Sequence, residues 1–170
     1  MTRAAHSMAE MRRLLPSIEN PSIAEFAEYW MSIHPQDRLP SRENFDPVEI
    51  PRLLPHIVLV DVESDPLRFQ VRVQGTEVCR AMGRDLKGHY LDESFEDFES
   101  TYPYIDRRRV VETGLPTHRL GSPSLPFALD FIPIERLHLP LSTDGRTVDK
   151  VLSIFLYQQK HKNWLVDRTF

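Results

Sequence analysis

The sequence predicts an α+β domain built on an antiparallel sheet, and three observations carry that prediction. Segments with strand patterning fall into two groups, near residues 57–74 and 117–157, with a helical interlude between them. Asp144-Gly145 stands between two apolar runs rich in β-branched residues, a hairpin signal of the type I′ kind. Strands and helices do not alternate along the chain, which argues against a doubly wound parallel sheet.

The elements follow in order. Residues 1–16 are weakly patterned and end at Pro16, a short or frayed helix. Ile23, Phe26, Ala27, Trp30 and Ile33 recur at helical spacing after Asn20-Pro21-Ser22, with Ser22 and Glu25 spaced as a capping box, so a helix is expected over 22–34. Asp46-Pro47-Val48-Glu49 offers a second cap and opens a short helix near 47–54, which Pro55 stops. Ile57 to Val62 reads as a buried strand, Asp65-Pro66 as a turn, and Phe69, Val71 and Val73 alternate with polar residues as a half-wet strand ended by Gly75. Short helices are expected over 76–83 and 84–91, and a longer one over 97–113 whose regular part begins near Pro103. Phe98, Tyr102, Ile105 and Val110 are its expected inward residues, and Gly114 with Pro116 closes it. A strand over 117–121 and a Pro/Ser loop over 122–126 come next.

With Asp144 and Gly145 as the two loop residues, the hairpin register puts Leu141 opposite Val148, Leu139 opposite Lys150 and Leu137 opposite Leu152 on one face. The other face pairs His138 with Val151, Ile134 with Phe155 and Ile132 with Tyr157, and carries Arg136 and Ser153 as well. Neither face has the composition of a wet surface, so each needs a cover: the central helices on one side and the 22–34 helix on the other.

Composition bounds the function. The chain has 170 residues, a net charge of −4 and a pI near 6.0, the size of one ordinary domain with a short extension. Mild acidity removes the electrostatic basis for nucleic-acid binding. The single cysteine excludes an internal disulfide and a cysteine zinc cage, and no apolar run approaches a membrane span. Without a signal-peptide pattern the cytoplasm is the expected compartment. Only 6 glycines are present and neither GxxxxGK[ST] nor GxGxxG occurs, so the common nucleotide-binding loops are missing. The seven histidines are scattered, with no close pair spaced for a metal.

Two strands, a run of small helices and a three-stranded meander resemble the PAS topology. The string Gly75-Thr76-x-Val78-Cys79-x-x-Met82-Gly83-Arg84-Asp85-Leu86-x-Gly88-x-x-Leu91 is similar to the passage from the second PAS strand into its small helices. Val110-Val111-Glu112-Thr113-Gly114-x-Pro116 is similar to the exit from the long PAS helix. The segment from Leu39 to Ile57, with Leu39-Pro40-Ser41-Arg42 and Phe45-Asp46-Pro47, resembles small standalone bacterial PAS proteins, as does Leu139-Pro140-Leu141-Ser142-x-Asp144-Gly145-Arg146. The resemblance implies a five-stranded antiparallel sheet of order 2-1-5-4-3, with short central helices on one face and an N-terminal amphipathic helix. It divides the chain into a helical extension (1–38), a PAS-like domain (39–159) and a C-terminal tail (160–170).

The resemblance also frames the cofactors. Haem-binding PAS sensors take an iron ligand from a histidine on the long helix, but 97–113 holds none, and His89 and His118 lie outside it. The flavin-adduct LOV sensors share an Asn-Cys-Arg-Phe-Leu-Gln string; here Cys79-Arg80 stands on a different helix. Haem and flavin are both disfavoured, and an unidentified small molecule is left as the ligand class. Face patterns assign Cys79, Met82, Tyr102, Arg109, His138 and Tyr157 to its pocket. Cys79 also reads as a small buried hydrophobe, and His138 as a buried group needing a hydrogen-bond partner. In the run Arg107-Arg108-Arg109 at least one side chain must be solvated, and another is free to fork an anion.

No catalytic constellation emerges: there is no GxSxG elbow, and Asp61, Asp130 and Tyr157 form no reasoned acid–base set. The expected function is a non-catalytic sensory or signalling module that binds a small ligand or a protein partner. It is expected to dimerise through Phe26, Trp30 and Ile33, and to pass its output to another signalling protein because no kinase, cyclase or DNA-binding segment follows. A small α+β acid–base enzyme and a ligand-free interaction scaffold are the alternatives. The tail after Lys160, mixing cations with Trp164 and Phe170, docks back on the domain or meets a partner.

Overall fold

A computed structural model describes residues 1–122 and 133–157. Five antiparallel strands form one sheet: β1 (Ile57–Glu63), β2 (Arg68–Gln74), β3 (Thr117–Gly121), β4 (Ile134–Leu141) and β5 (Lys150–Tyr157), in the order β2-β1-β5-β4-β3. Helices α1 (Arg3–Leu14) and α2 (Pro21–Ile33) precede it, while α3 (Thr76–Met82), α4 (Leu91–Ser94) and α5 (Tyr102–Thr113) lie between β2 and β3. The expected α+β class and strand order are those of the structure.

Because strand side chains alternate, the sheet splits the core in two. On the outer face Leu137, Leu139, Leu152 and Ile154 meet Met11 of α1 and Ile23, Phe26 and Trp30 of α2. On the inner face Val58, Val60, Val71 and Val151 meet Val78, Leu91, Phe95 and Val110 from α3, α4, the segment after it and α5. Every residue of β4 is buried, as expected for a strand covered on both faces.

The stripe on α2 therefore has a partner within its own subunit. Phe26 and Trp30 are fully buried against the sheet, and the Trp30 indole N–H donates to the Pro140 carbonyl at 3.3 Å. A dimer contact through those two side chains is corrected accordingly; only Ile33 stays half-buried. Within residues 1–16, Arg3–Leu14 form a regular helix rather than a frayed one, followed by a 3-10 turn at Leu15–Ser17, with Ala4, Ser7 and Met11 facing inward. The cap of α2 is the Asn20 side chain, which accepts from the Ser22 amide, in place of the Ser22–Glu25 box. Single 3-10 turns at Pro47–Glu49 and Leu54–His56 replace the short helix expected near 47–54. The brief helix expected over 84–91 is instead α4, beginning at Leu91.

The hairpin register differs by two residues from the one expected. Leu139 faces Leu152, Leu137 faces Ile154 and His138 faces Ser153. Asp144 is the reason: its carboxylate accepts from the amides of Arg146 and Thr147 and from the Ser142 hydroxyl, at 2.7–2.9 Å, and holds open a loop from Ser142 to Asp149. Those amides also hold the Asp144 carboxyl well below the usual range. A slip of two keeps every side chain on its face, so the two cores form as expected. The pairing proposed for Ile132 and the tail beyond Lys160 lie outside the described residues.

Two glycines are dictated by close approach. A Cβ on Gly75, at the β2–α3 junction, would sit 2.3 Å from the Pro55 carbonyl oxygen. Gly114 ends α5 in the left-handed region (φ 71°), and a Cβ there would meet the Arg3 guanidinium at 2.4 Å. Arg3 uses that space to donate to the carbonyls of Val111, Glu112 and Thr113 at the end of α5, and to that of Arg146, at 2.9–3.2 Å. A cation on the last carbonyls of a helix also complements its dipole.

Candidate functional site

The inner face and the short helices enclose a cavity of about 60 Å³. Most of its wall is apolar: Val58 and Val71 from β1 and β2, Val78 and Met82 from α3, Leu86, Leu91 and Phe95 beyond them, and Ile134 and Phe155 from the meander. Half-exposed His56, Gln74 and Glu77 stand at one end. Gln74 holds that end together, its side-chain oxygen accepting from the Leu86 amide at 2.8 Å and its nitrogen donating to the Arg84 carbonyl at 3.1 Å. Buried Arg107 and Arg136 stand at the other.

Helix α5 sets up the charged end. Pro103 fits its first turn, where a missing N–H costs nothing, and Pro103, Asp106, Arg107 and Val110 recur at helical spacing as its buried stripe. Asp106 gives both carboxylate oxygens to Arg119 of β3, at 2.7 and 2.8 Å. The Arg119 guanidinium in turn lies 3.9 Å from the centroid of Tyr102. Arg119 also faces Arg136 across the β3–β4 ladder, a like-charge pair that Asp106 moderates. Arg136 donates to the Ser122 carbonyl at 3.0 Å.

Arg107 is placed differently. It is 3% exposed, its guanidinium carbon lies 5.7 Å from the centre of the Phe155 ring, and its one hydrogen bond runs from Nη1 to the Pro103 carbonyl at 3.0 Å. Its Nε has no partner, and no carboxylate pairs with it among the described residues. Burial, with Arg136 adding repulsion, pulls the guanidinium down to about 10, so it keeps its charge at neutral pH.

His138 lies fully buried beside this group. Its Nδ1 is 2.6 Å from the Ser153 hydroxyl, its ring meets Phe155 edge-on at 5.7 Å, and its ladder neighbour on β3 is Thr117. Burial, reinforced by Arg107, Arg136 and Arg119, holds the imidazole well below its usual pKa and therefore neutral. Its Nε2 and the Thr117 hydroxyl have no hydrogen-bond partner among the described residues.

Of the six residues assigned to a pocket from sequence, Met82 and Tyr157 line the cavity. Burial alone pushes the Tyr157 phenol up to about 12. His138 sits in the adjoining polar layer. The other three are elsewhere. Arg109 is exposed, and the member of its run that reaches the cavity is Arg107. Tyr102 is 43% exposed and lies against Arg119. Cys79 is half-buried off the cavity wall, with its thiol 3.8 Å from the Gln74 carbonyl, and burial pushes that thiol's pKa up. Sequence reasoning missed Arg107, Arg136 and Phe155 as wall residues. The stripe that contains Val110 would have found Arg107, three positions back on the same helix face.

Among the described residues no group of three or more His, Cys, Asp or Glu side chains is placed to hold a metal, and no helix is long and apolar enough to cross a membrane.

Comparison with curated proteins returns no match. Among solved structures, the chain is similar to the Rhodobacter sphaeroides LOV protein, with 14% identity over 70% of this chain and 72% of that one and a TM-score of 0.46. It is similar to the dark structure of the blue-light photoreceptor Aureochrome1 LOV, with 12% identity, 72% and 90% of the two chains covered and a TM-score of 0.45. A third likeness is to an RNA-binding light-oxygen-voltage receptor, with 12% identity, 97% of this chain and 56% of that one covered, and a TM-score of 0.41. The family model described as PAS domain matches residues 18–156, which takes in α2 and the whole sheet up to the penultimate residue of β5. The chain belongs to the PAS domain family, a family of sensory modules.

Proposed function

We propose that this chain is a non-catalytic sensor that holds a small ligand between the inner sheet face and the short helices, and signals its occupancy to a separate protein. One observation carries the reading: Arg107, a buried guanidinium without an ionic partner among the described residues, on the wall of a largely apolar cavity. An unpaired buried charge is costly to keep, and a bound ligand offsets that cost. The acid–base alternative is weakened because Asp106, the carboxylate at the charged end, has both oxygens held by Arg119, while Asp61 bonds Arg72 and Lys150.

The cavity volume of about 60 Å³ is well below the ~300 Å³ of typical small-molecule sites, which favours a second reading: an interaction scaffold whose interior is filled by its own side chains. The same volume, and a Cys79 thiol off the cavity wall, weigh against haem and flavin as the resident group.

Native mass spectrometry of freshly purified protein, set against its denatured mass, tests the sensor reading. An added mass lost on denaturation supports it and identifies the ligand by weight, and visible absorbance of the same sample reveals any flavin or haem. A bare chain that also fails to bind any small apolar probe in titration favours the scaffold and overturns the sensor.

A further inference from the structure

Resting on the sensor reading, we propose that the cavity ligand is a short-chain monocarboxylate whose carboxyl group is held by the Arg107 guanidinium. Charge is the first argument. Arg107 is 3% exposed and carries no ion pair among the described residues, while the adjacent Asp106 is fully engaged by Arg119 at 2.7 and 2.8 Å. Geometry is the second. Nη1 is occupied by the Pro103 carbonyl, which leaves the Nε–Nη2 edge, a pair of parallel donors, without a partner among the described residues. That edge matches the two oxygens of a carboxylate, and such charge-assisted pairs are the strong ones in a dry interior.

Shape sets the rest of the molecule. Most of the remaining wall, with Val58, Val71, Val78, Met82 and Phe155, is apolar, which calls for a hydrocarbon tail; Glu77 among the half-exposed residues at the far end disfavours a second carboxylate there. A buried water takes roughly 10–15 Å³ on this scale, so about 60 Å³ has room for about four to six such volumes. A four- or five-carbon acid is that size.

The test is isothermal titration calorimetry on the full chain, using protein whose native mass is that of the bare polypeptide, with pentanoate, its neutral isostere pentanamide, and octanoate. Pentanoate is expected to bind at least about tenfold more tightly than pentanamide, the gain of a charge-assisted fork over a neutral hydrogen bond. Octanoate is expected to bind more weakly than pentanoate. Arg107→Gln is expected to bring pentanoate and pentanamide within about twofold of each other, with near-ultraviolet circular dichroism checking its fold. If that variant does not fold, Arg107→Lys keeps the charge without the fork and is expected to lose most of the preference. Equal binding of pentanoate and pentanamide by the wild-type chain overturns the carboxylate assignment and leaves the sensor reading standing. A preference that survives in the folded Gln or Lys variant overturns the role of Arg107. No binding of any of the three overturns the carboxylate assignment, and the sensor reading then stands or falls on the native-mass and apolar-probe measurements.

Discussion

Asp106 and Arg107 are chain neighbours on α5, both almost fully buried, yet among the described residues only Asp106 has an ionic partner: both its oxygens go to Arg119 and neither to Arg107. Both are turned inward because a helix buries positions spaced three and four apart, and Pro103, Asp106, Arg107 and Val110 satisfy that spacing together. Asp106 thus fixes Arg119, and through Arg119 the ring of Tyr102, while Arg107 stands on the cavity wall with its Nε without a partner among the described residues.

Removing the charge of Asp106 breaks a buried ion pair from its more deeply buried side, since Asp106 is 7% exposed against 33% for Arg119. Asp106→Asn is expected to cost about 3 kcal/mol, because it leaves the Arg119 guanidinium without its carboxylate. Urea denaturation monitored by circular dichroism measures this; a loss below about 1 kcal/mol would show that solvent already screens the pair.

Trp30 is spent on the subunit's own core. Trp30→Ala is expected to lower stability by about 3–5 kcal/mol, the usual cost of deleting a fully buried aromatic. Any oligomer present in the wild-type chain is expected to persist in the folded fraction of the variant. Sedimentation velocity beside thermal unfolding separates the two effects, and an intact core with a lost oligomer is the opposite outcome.

His138 ties stability to mildly acidic pH. Its imidazole pKa is well below the ordinary 6.5 in the folded chain, so below about pH 6.5 the unfolded chain takes up a proton that the folded chain refuses. The contribution is complete above that value and is lost as pH falls toward the folded pKa, so stability rises with pH across this window. His34 and His56, also lowered by burial, act in the same direction. Unfolding free energies measured from pH 5 to 7 are expected to show a shallower slope for His138→Asn; an unchanged slope would mean that His138 is protonated in the folded protein.

On the outer face Glu135, 2% exposed, accepts the amides of Glu19 and Asn20 at 2.8 Å each and lies 2.8 Å from His118 Nε2. Glu135→Gln replaces an acceptor pair with one acceptor and one donor, so one of those amides loses its partner. Hydrogen exchange at Glu19 and Asn20 is expected to accelerate about tenfold or more, in keeping with a charge-assisted bond of roughly 1.5–3 kcal/mol. Unchanged exchange there would show that α2 packing alone holds the segment.

Periodicity made the sheet and its two covered faces legible. Alternation in β1 and β2, the long apolar run around Asp144-Gly145 and the Trp30 stripe each depend on local spacing that a linear reading preserves. The hairpin register was not legible, because the three hydrogen bonds to Asp144 that widen the loop are a matter of side-chain geometry. The face of α5 was misread for a related reason. Tyr102 and Ile105 are apolar and point outward (43% and 45% exposed), whereas Asp106 and Arg107 are charged and buried, so hydrophobicity selects the wrong stripe. The candidate site was therefore only partly readable: Met82 and Tyr157 come from the pattern, and Arg107 comes from knowing which charges find partners.

The Arg3 clamp has a mechanical consequence. Four hydrogen bonds join the first turn of α1 to the last turn of α5 and to the loop at Arg146, so rotation of α5 about its axis must either drag α1 along or break them. The helix that carries Arg107 is thereby tied, through one side chain, to the first turn of the chain, so a displacement at either end is felt at the other.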